Sequence, residues 1–518
     1  MLTAVAAPLP SQQATAPVPA APAGTTPRTL ILSLDDALRI AVGESENILV
    51  AEAGVMRAMG SESIARSQLF PQVSATASYT RTLRSQFSGI DFGGSPAAPG
   101  EPGAPDDGGL SDLPFGQENQ YSLGLSVSQL LFDGGQTRAR IRAAEAQVRS
   151  SEIGSQSALA QTLLDVTQAY FDAQLTDRLV EIAEASLGQQ EEILRQTEVA
   201  RRVGDRSEFE LLRARVARDN LLPTLIRQRT QRGEAYLRLK QLLNVPAEDN
   251  LQLTTGVEEP VTRLAQLTGT PADIGAEAPL SAPDDRAPVR QAAENVLASE
   301  AQFAEARGQR WPTVALSSSF APVAFPADGI PDFGDFREDW SVTLSLSVPL
   351  LTWGRQAGTE RVAEGSLSEA RARLRQVREA AALDTQVARN DLADAQATLA
   401  ANTSTSQEAR RAFSIAQLQF REGIASQIEL ADARLLLEQA EVNRALALRD
   451  VQVARARLFL LEYLPLNQGF GTGGGTIPQP ATPQTQPSQQ TVTASTVGSS
   501  LGGLGGGSNV VNTGSPIP

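Results

Sequence analysis

The polar residues with the clearest spacing lie in two similar stretches, residues 202–213 and 421–432. Each contains a Gly, a Ser three positions later and a Glu three positions after that Ser. Glycine lets a helix end in a left-handed turn, and Ser-x-x-Glu is a capping box that binds free amides where the next helix starts. The spacing therefore predicts two tight helix-to-helix turns, built by Gly204, Ser207 and Glu210 and by Gly423, Ser426 and Glu429.

The carboxylates in these stretches are the best candidates for functional groups. Glu429 and Asp432 are three residues apart, so they lie on one face of a helix. If three chains brought these carboxylates together, they would form a constriction that binds cations. For Glu429 a capping role alone is an equally good interpretation, and Glu210 does the same work in the first stretch. Asp432 lies beyond the capping box, and its alternative interpretation is a solvated helix face.

Composition excludes most enzyme chemistry. The 518 residues include neither Cys nor His, which removes disulfides, thiolate or imidazole metal sites and Ser-His-Asp triads. We therefore predict no enzyme, no cofactor and no metal site, with a carboxylate-only enzyme as the remaining catalytic alternative. The net charge of -15 disfavours nucleic acid as a partner. No run of 18 apolar residues is present, so no transmembrane helix is predicted.

Four segments alternate apolar residues with Ser, Thr or Gly, which predicts β-strands with one apolar and one polar face. A solvent-facing strand usually carries charge, so the small uncharged residues favour membrane-spanning strands that line a pore. Open strand edges are not tolerated in lipid, and four strands cannot close a barrel. Three copies would supply twelve strands. The segments are residues 73–80, 121–128, 313–320 and 340–348.

Long helices connect the strands to the turns. A capping box at Ser33 predicts a helix to about residue 68. A second helix runs from Gly134 to about residue 203, on the order of 100 Å long at 1.5 Å per residue. Another helix follows each turn. Leu159, Leu163, Val166 and Tyr170 have heptad spacing, which predicts a coiled-coil seam.

The same order of elements occurs twice, which predicts a tandem repeat. Leu350-Leu-Thr-Trp-Gly354 aligns with Leu130-Leu-Phe-Asp-Gly134, and the tip glycines Gly204 and Gly423 follow 70 and 69 residues later. The predicted divisions are a disordered segment (1–30), a first repeat (31–245), an equatorial segment with a short strand near 251–254 (246–283), a second repeat (284–465) and a low-complexity tail (466–518).

Over about residues 31–465 this tandem order resembles the TolC family of outer-membrane efflux proteins. The resemblance implies a mainly α-helical homotrimer with a membrane β-barrel: twelve strands, four per chain, on a long α-helical barrel. It further implies an outer-membrane location in a Gram-negative bacterium, with the helices extending into the periplasm. The expected function is a passive exit duct for efflux or type I secretion. The expected partners are a periplasmic adaptor (membrane fusion) protein, an inner-membrane transporter and outer-membrane lipid. A soluble coiled-coil scaffold is the alternative.

The resemblance also assigns roles at the tip. It implies that Glu429 and Asp432 line the narrowest point of the tunnel. The family's closing latch uses a Tyr and an Arg that face an acidic residue; here those positions hold Phe420, Ala425 and Glu210, so this latch cannot be copied. Arg421, Arg202 and Arg206 are the candidate substitutes. The turns expected to dock the adaptor are Gly204, Asp205, Arg206 and Ser207 in the first repeat and Gly423, Ile424, Ala425 and Ser426 in the second.

Overall fold

The computed structural model describes residues 28–83, 119–204, 206–256, 283–326 and 330–466. Most of the predicted tail, of the predicted N-terminal segment and of the equatorial segment lies outside these residues. In the described part of the chain, no helix combines the length and apolar content needed to cross a membrane.

The described residues from 28 to 256 form four helices and four strands, with the predicted strand–strand–long helix–turn–helix order at their centre. In chain order they are β1 (Thr29–Leu32), α1 (Leu34–Glu44), α2 (Glu46–Ser67), β2 (Gln72–Arg81), β3 (Asn119–Phe132), α3 (Gln136–Arg202), α4 (Glu208–Leu242) and β4 (Asn250–Leu253).

The second repeat follows the same plan. Its elements are α5 (Ala287–Gly308), β5 (Thr313–Phe320), the two-residue β6 (Val323–Ala324), β7 (Trp340–Ser347), α6 (Arg355–Arg421) and α7 (Gln427–Leu460). Short 3-10 turns lie at Pro283–Asp285 and Phe333–Asp335.

Helix lengths agree between the two repeats. The long helices α3 and α6 each have 67 residues, about 100 Å at 1.5 Å per residue. Helices α2 and α5 each have 22 residues, and α4 and α7 have 35 and 34. Both α2 and α4 pack along α3, so two shorter helices accompany one long helix. Helix α4 continues through Pro223.

Five of the described strands form an antiparallel sheet in the order β2-β3-β5-β7, with β6 paired to β3. Pairing sorts the two faces: Ser74 lies opposite Ser126 with their hydroxyls 2.6 Å apart, whereas Tyr79 lies opposite Tyr121 with ring centroids 4.7 Å apart. The predicted alternation is therefore present across the hairpin, with polar residues on one face and apolar residues on the other.

The main core lies where the helices meet the small parallel sheet formed by β1 and β4. The predicted seam is buried there, with Leu163, Val166 and Tyr170 fully enclosed. The Tyr170 hydroxyl donates to the carbonyl of Leu32 at 3.1 Å and accepts from the amide of Thr255 at 3.0 Å. The seam thus joins the long helix to the end of β1 and to the residues that follow β4.

The structure corrects three predictions. Residues 29 and 30, predicted as disordered, belong to β1, which pairs with a strand 221 positions later in the chain. The predicted helix over 33–68 is broken at Ser45, whose backbone is extended (φ -71°, ψ 122°). The nearby Gly43 and Ser45 are weak helix formers, and the break lets α1 bury its apolar stripe in the core while α2 follows α3.

The third correction concerns the turns from strand into long helix. Gly354 is the N-cap of α6 with φ 87°, and Gly135, not Gly134, is the N-cap of α3 with the same φ. Trp353 therefore corresponds to Gly134. With this alignment the cap-to-tip distance is 69 residues in both repeats, from 135 to 204 and from 354 to 423. The difference between the 70 and 69 residues counted from Gly134 and from Gly354 to the tip glycines therefore disappears.

Candidate functional site

The first tip turn has the predicted geometry. Helix α3 ends at Arg202, and Gly204 adopts φ 87° while its amide donates to the carbonyl of Arg201 at 2.9 Å. Ser207 Oγ accepts from the Glu210 amide at 3.2 Å, and Glu210 Oε2 accepts from the Ser207 amide at 3.1 Å. Both halves of the capping box are formed. Asp205 lies outside the described residues.

The second tip turn repeats this arrangement. Gly423 has φ 73°, and the amides of Ile424 and Ala425 both donate to the carbonyl of Gln419, at 2.8 and 3.1 Å. These bonds satisfy a carbonyl that the end of the helix would otherwise leave free. The capping box is again complete: the Ser426 amide donates to Glu429 Oε2 at 2.7 Å, and the Glu429 amide donates to Ser426 Oγ at 3.3 Å.

An arginine–aromatic contact joins the two tips. The guanidinium carbon of Arg206 lies 4.9 Å from the centre of the Phe420 ring, within the range of a cation–π interaction. Arg206 Nη1 also lies 3.3 Å from Glu210 Oε1. The three side chains therefore connect the first tip turn, through Arg206, to the last turn of α6 in the other repeat.

Beneath this contact is a small apolar cluster. Phe420 is buried there, and so is Ala425 of the second turn. The positions that the family resemblance associates with a Tyr and an Arg thus hold apolar side chains that pack inside the chain. The other buried members of the cluster are Ile193, Phe413 and Leu430.

Two of the predicted gate residues project into solvent. Asp432 is exposed and makes no hydrogen bond or ion pair with any residue that the structure describes. Arg421 is exposed, with Nε 3.5 Å from the Gln417 carbonyl, and pairs with no described carboxylate. Glu429 is also exposed, but its carboxylate is engaged in the capping box. The structure thus confirms the capping role of Glu429 and leaves Asp432 available to contacts outside the chain.

A buried ionic cluster was not predicted. Arg286 is almost fully buried and pairs through Nη1 with Asp384 Oδ2 at 2.8 Å, while Arg457 Nη2 lies 3.0 Å from Asp384 Oδ1. Arg286 also donates to the carbonyls of Leu461 and Ala381, at 3.1 and 3.2 Å. The cluster ties the start of α5 to α6 and to the end of α7.

The offset of 219 residues between the two repeats could have pointed to this cluster. Subtracting 219 from 384 and 457 gives Asp165 and Arg238 of the first repeat. There, burial raises the pKa of Asp165 despite a hydrogen bond from Gln161 and the nearby charge of Arg238. One repeat therefore neutralises its carboxylate with two arginines, and the other holds a half-buried carboxylate whose charge is disfavoured.

Comparison with known protein families gives one match that covers most of the chain. The model described as "Outer membrane efflux protein" matches residues 37–245 and 280–461. Its two segments correspond to the two repeats of the structure.

Curated relatives match at lower coverage. Nodulation protein T of Rhizobium leguminosarum is 25% identical over 349 residues, which is 66% of this chain and 69% of that protein. The probable efflux pump outer membrane protein SepC of Pseudomonas putida is 26% identical over 247 residues, 47% of this chain and 48% of that protein. The match thus spans about half the length of SepC.

Solved structures share the fold. A membrane protein from Pseudomonas aeruginosa superposes with a TM-score of 0.67 at 18% identity, covering 83% of this chain and 93% of that chain. The outer membrane protein VceC of Vibrio cholerae gives 0.65 at 18% identity, covering 84% and 97%. The predicted fold class, a mainly helical chain with a β-sheet portion as in TolC-like channels, is confirmed. A soluble coiled-coil scaffold receives no support from these comparisons.

Proposed function

Because the chain belongs to the outer membrane efflux protein family, we propose that it forms the passive exit duct of a tripartite efflux system in the outer membrane. The observation that carries this proposal is the sheet, with one polar and one apolar face, continuous with two helices of 67 residues. A polar face suits a water-filled pore and an apolar face suits lipid. The helices then extend the duct into the periplasm.

The duct requires more than one chain. Among the described strands, β2 and β7 each have a single neighbour, so each leaves an edge of unpaired backbone groups. Such edges are not stable in lipid. Pairing β2 of one copy with β7 of the next closes a barrel, and three copies provide its twelve main strands. This supports a homotrimer in which the helices form the second, helical barrel.

The tip turns are the gate and docking end of the duct. Gly204, Arg206 and Ser207 of the first turn and Gly423–Ser426 of the second lie at the far end of the long helices from the sheet, where a periplasmic adaptor and an inner-membrane transporter would dock. Asp432 of three chains would form an acidic ring that binds cations at the constriction, with Glu429 contributing its charge from the capping box.

The closed tip is held partly by the contact of Arg206 with Phe420. This contact replaces the polar latch of the family, because Phe420 supplies a π-face where a hydroxyl is expected and Arg206 supplies the cation. Such an interaction contributes about 0.5–2 kcal/mol, depending on solvent exposure. An interaction free energy of this size is small enough for a docking partner to overcome. The residues of the duct have no catalytic role in this proposal.

Purification and bilayer recording test the proposal. The full chain should require detergent for extraction, elute with the mass of three copies in light-scattering chromatography, and form ion-conducting channels in planar bilayers. A monomer that stays soluble without detergent and gives no conductance would contradict it.

A further inference from the structure

The long helix α6 has fewer neighbours than its counterpart α3. In the half nearer the sheet, α3 packs along both α2 and α5, whereas α6 packs along α5. The sheet shows the same pattern among the described strands, because β3 has a strand on either side and β7 has one neighbour. A second copy of this chain would bring its α2 to the open side of α6 when its β2 pairs with β7.

The two repeats place their 22-residue helices against the long helices in the same way. Arg66 Nη2 of α2 lies 3.0 Å from Glu145 Oε1 of α3, and the equivalent Arg307 of α5 reaches Glu360 of α6, with Nε 3.8 Å from Oε1. An offset of 241 residues relates α2 to α5, from 67 to 308 at their last residues, and one of 219 relates α3 to α6, from 135 to 354 at their caps. The contacts of α3 with α5, called the internal interface, therefore predict those of α6 with α2 of the next copy, called the copy interface.

Ion pairs stabilise the internal interface. Arg140 Nη2 lies 2.8 Å from Glu305 Oε1, and Arg149 Nη2 lies 2.9 Å from Glu294 Oε2. The four equivalent positions of the copy interface hold no charged residue, so these ion pairs have no counterpart there. The residues at those positions are Thr359 and Ser368 on α6 and Ile64 and Ala53 on α2.

Large apolar side chains are exposed on both halves of the copy interface. On the side of α2, Ile64 is 69% exposed and Phe70, just before β2, is exposed as well. On the side of α6, Trp353 is 90% exposed, and Val362, one turn beyond Thr359, is also exposed. Exposed apolar side chains that lie together mark interaction surfaces. The two halves are thus complementary in their apolar character.

The turn into α6 cannot pack as closely as the turn into α3. A Cβ at Gly134 would lie 2.6 Å from the Gly308 carbonyl oxygen and from Trp311 Cβ, so that turn fits only a glycine. Its equivalent is Trp353, which has a similar left-handed backbone, with φ 47° against 67°, and carries both a Cβ and an indole. Carbon atoms pack at about 3.5–4.0 Å, so the next copy must lie about 1 Å farther from this turn than α5 lies from the first one.

We propose that Trp353 is a wedge between copies of this chain, with its indole packed against Phe70 and Ile64 of the next copy. Phe70 is the equivalent of Trp311, which covers Gly134 in the first repeat. The internal interface is then narrow and ion-paired, whereas the copy interface is wider and apolar. A left-handed Trp is strained and persists where surrounding contacts hold it, and the next copy supplies those contacts. This inference rests on the proposed function, because it takes copies to be joined through β2 and β7.

Cysteine cross-linking tests the copy interface, because the chain contains no cysteine. In the full chain, Thr359→Cys combined with Ile64→Cys should give a covalent trimer on denaturing gels after treatment with a short bis-maleimide. Each single variant should keep the mass of one chain. Arg140→Cys with Glu305→Cys is the matched control, since the same reagent should join its two thiols within one chain, without a gain in mass from a second copy.

Tryptophan fluorescence tests the wedge itself. Phe replaces the other two tryptophans of the chain, which leaves Trp353 as the sole fluorophore. Acrylamide should quench it weakly in the trimer, and Phe70→Ala should strengthen the quenching and shift the emission to longer wavelength. Leu69→Ala is the matched control and should change neither, because the equivalent Arg310 pairs with Glu360 of α6, so Leu69 faces its own chain.

The outcomes separate the wedge from the channel. A conducting trimer in which Thr359→Cys with Ile64→Cys gives no cross-link, while the control pair is joined, would overturn the copy interface. Quenching of Trp353 by brominated phosphatidylcholine, with no response to Phe70→Ala, would overturn the wedge, because lipid would then cover the turn. Dissociation of the trimer by Phe70→Ala but not by Leu69→Ala supports the wedge. A wild-type chain that is monomeric in light scattering and does not conduct would reject the proposed function instead.

Discussion

The contact between Arg206 and Phe420 joins the two tip turns, and the substitution Arg206→Gln removes it. The substitution deletes a cation–π interaction, worth about 0.5–2 kcal/mol, and an ion pair with Glu210, worth about 0–1 kcal/mol. The Arg206 side chain is only 20% exposed. Because desolvation strengthens a cation–π interaction, we expect its contribution to lie above the lower end of the range of about 0.5–2 kcal/mol. The closed tip should therefore lose about 1–2 kcal/mol per copy, which shifts the closed-to-open ratio about 5–30-fold.

Single-channel recording in planar bilayers measures this shift as the open probability. Arg202→Gln is the matched control, because Arg202 lies in the same stretch, changes the charge equally, and is exposed without a partner among the described residues. Phe420→Leu removes the ring but keeps the apolar bulk and the Arg206–Glu210 pair, so it should open the channel nearly as much as Arg206→Gln. Equal open probabilities for Arg206→Gln and Arg202→Gln would refute the reasoning, since charge alone would then explain the effect.

Three further predictions concern the tip, the paired carboxylates and the strand-to-helix turn. Glu429→Ala with Asp432→Ala should abolish block of the channel by trivalent cations, and unchanged block in planar bilayers would count against an acidic ring. Burial raises the pKa of Asp165, so its ionisation opposes folding; Asp165→Asn should raise the thermal midpoint at pH 7, and this gain should fade as the pH falls from the raised pKa of Asp165 to the ordinary pKa of Asp, below which the carboxyl is protonated in both the folded and the unfolded chain. Asp384→Asn should instead lower the midpoint, by the equivalent of about 3–5 kcal/mol, because it leaves Arg286 buried without its partner charge; the opposite order of the two variants in scanning calorimetry would contradict this. Gly134→Ala should destabilise more than Gly135→Ala, because a Cβ at Gly134 would lie 2.6 Å from the Gly308 carbonyl oxygen and from Trp311 Cβ, whereas a Cβ at Gly135 would meet no atom within 4 Å; equal unfolding midpoints would exclude that explanation.

Local sequence signals were sufficient for the parts of the fold that depend on neighbouring residues. Alternation fixes the faces of a strand, and a Gly followed by a capping box fixes a turn within six residues. The two tip turns, the long helices and the sheet were predicted for this reason. The break at Ser45 escaped prediction because it depends on how α1 packs into the core.

Contacts between distant residues were harder to predict. The short strand predicted near residues 251–254 is confirmed as β4, but β1 was not predicted, because four residues are too few for periodicity to show. The pairing of the two strands across 221 positions was not predicted either. At the tip, the capping roles of Glu210 and Glu429 are local and were predicted, whereas the packing of Arg206 on Phe420 depends on how two repeats lie side by side. The strand-to-helix alignment was wrong by one residue because a left-handed conformation points to Gly, and Trp353 occupies it instead.

The equal length of α3 and α6 restricts how this chain can change size. One residue inserted into a single long helix would move its tip turn by about 1.5 Å and rotate it by about 100° relative to the other repeat, separating Arg206 from Phe420. An insertion that preserves the seam must add whole heptads, and it must do so in both long helices and in the helices that return beside them. A seven-residue insertion of this kind would lengthen the rod by about 10 Å. Changes in the length of the helical rod are therefore expected to occur in both repeats together and in multiples of seven residues. The loops at the other end of the sheet are expected to vary in length one residue at a time.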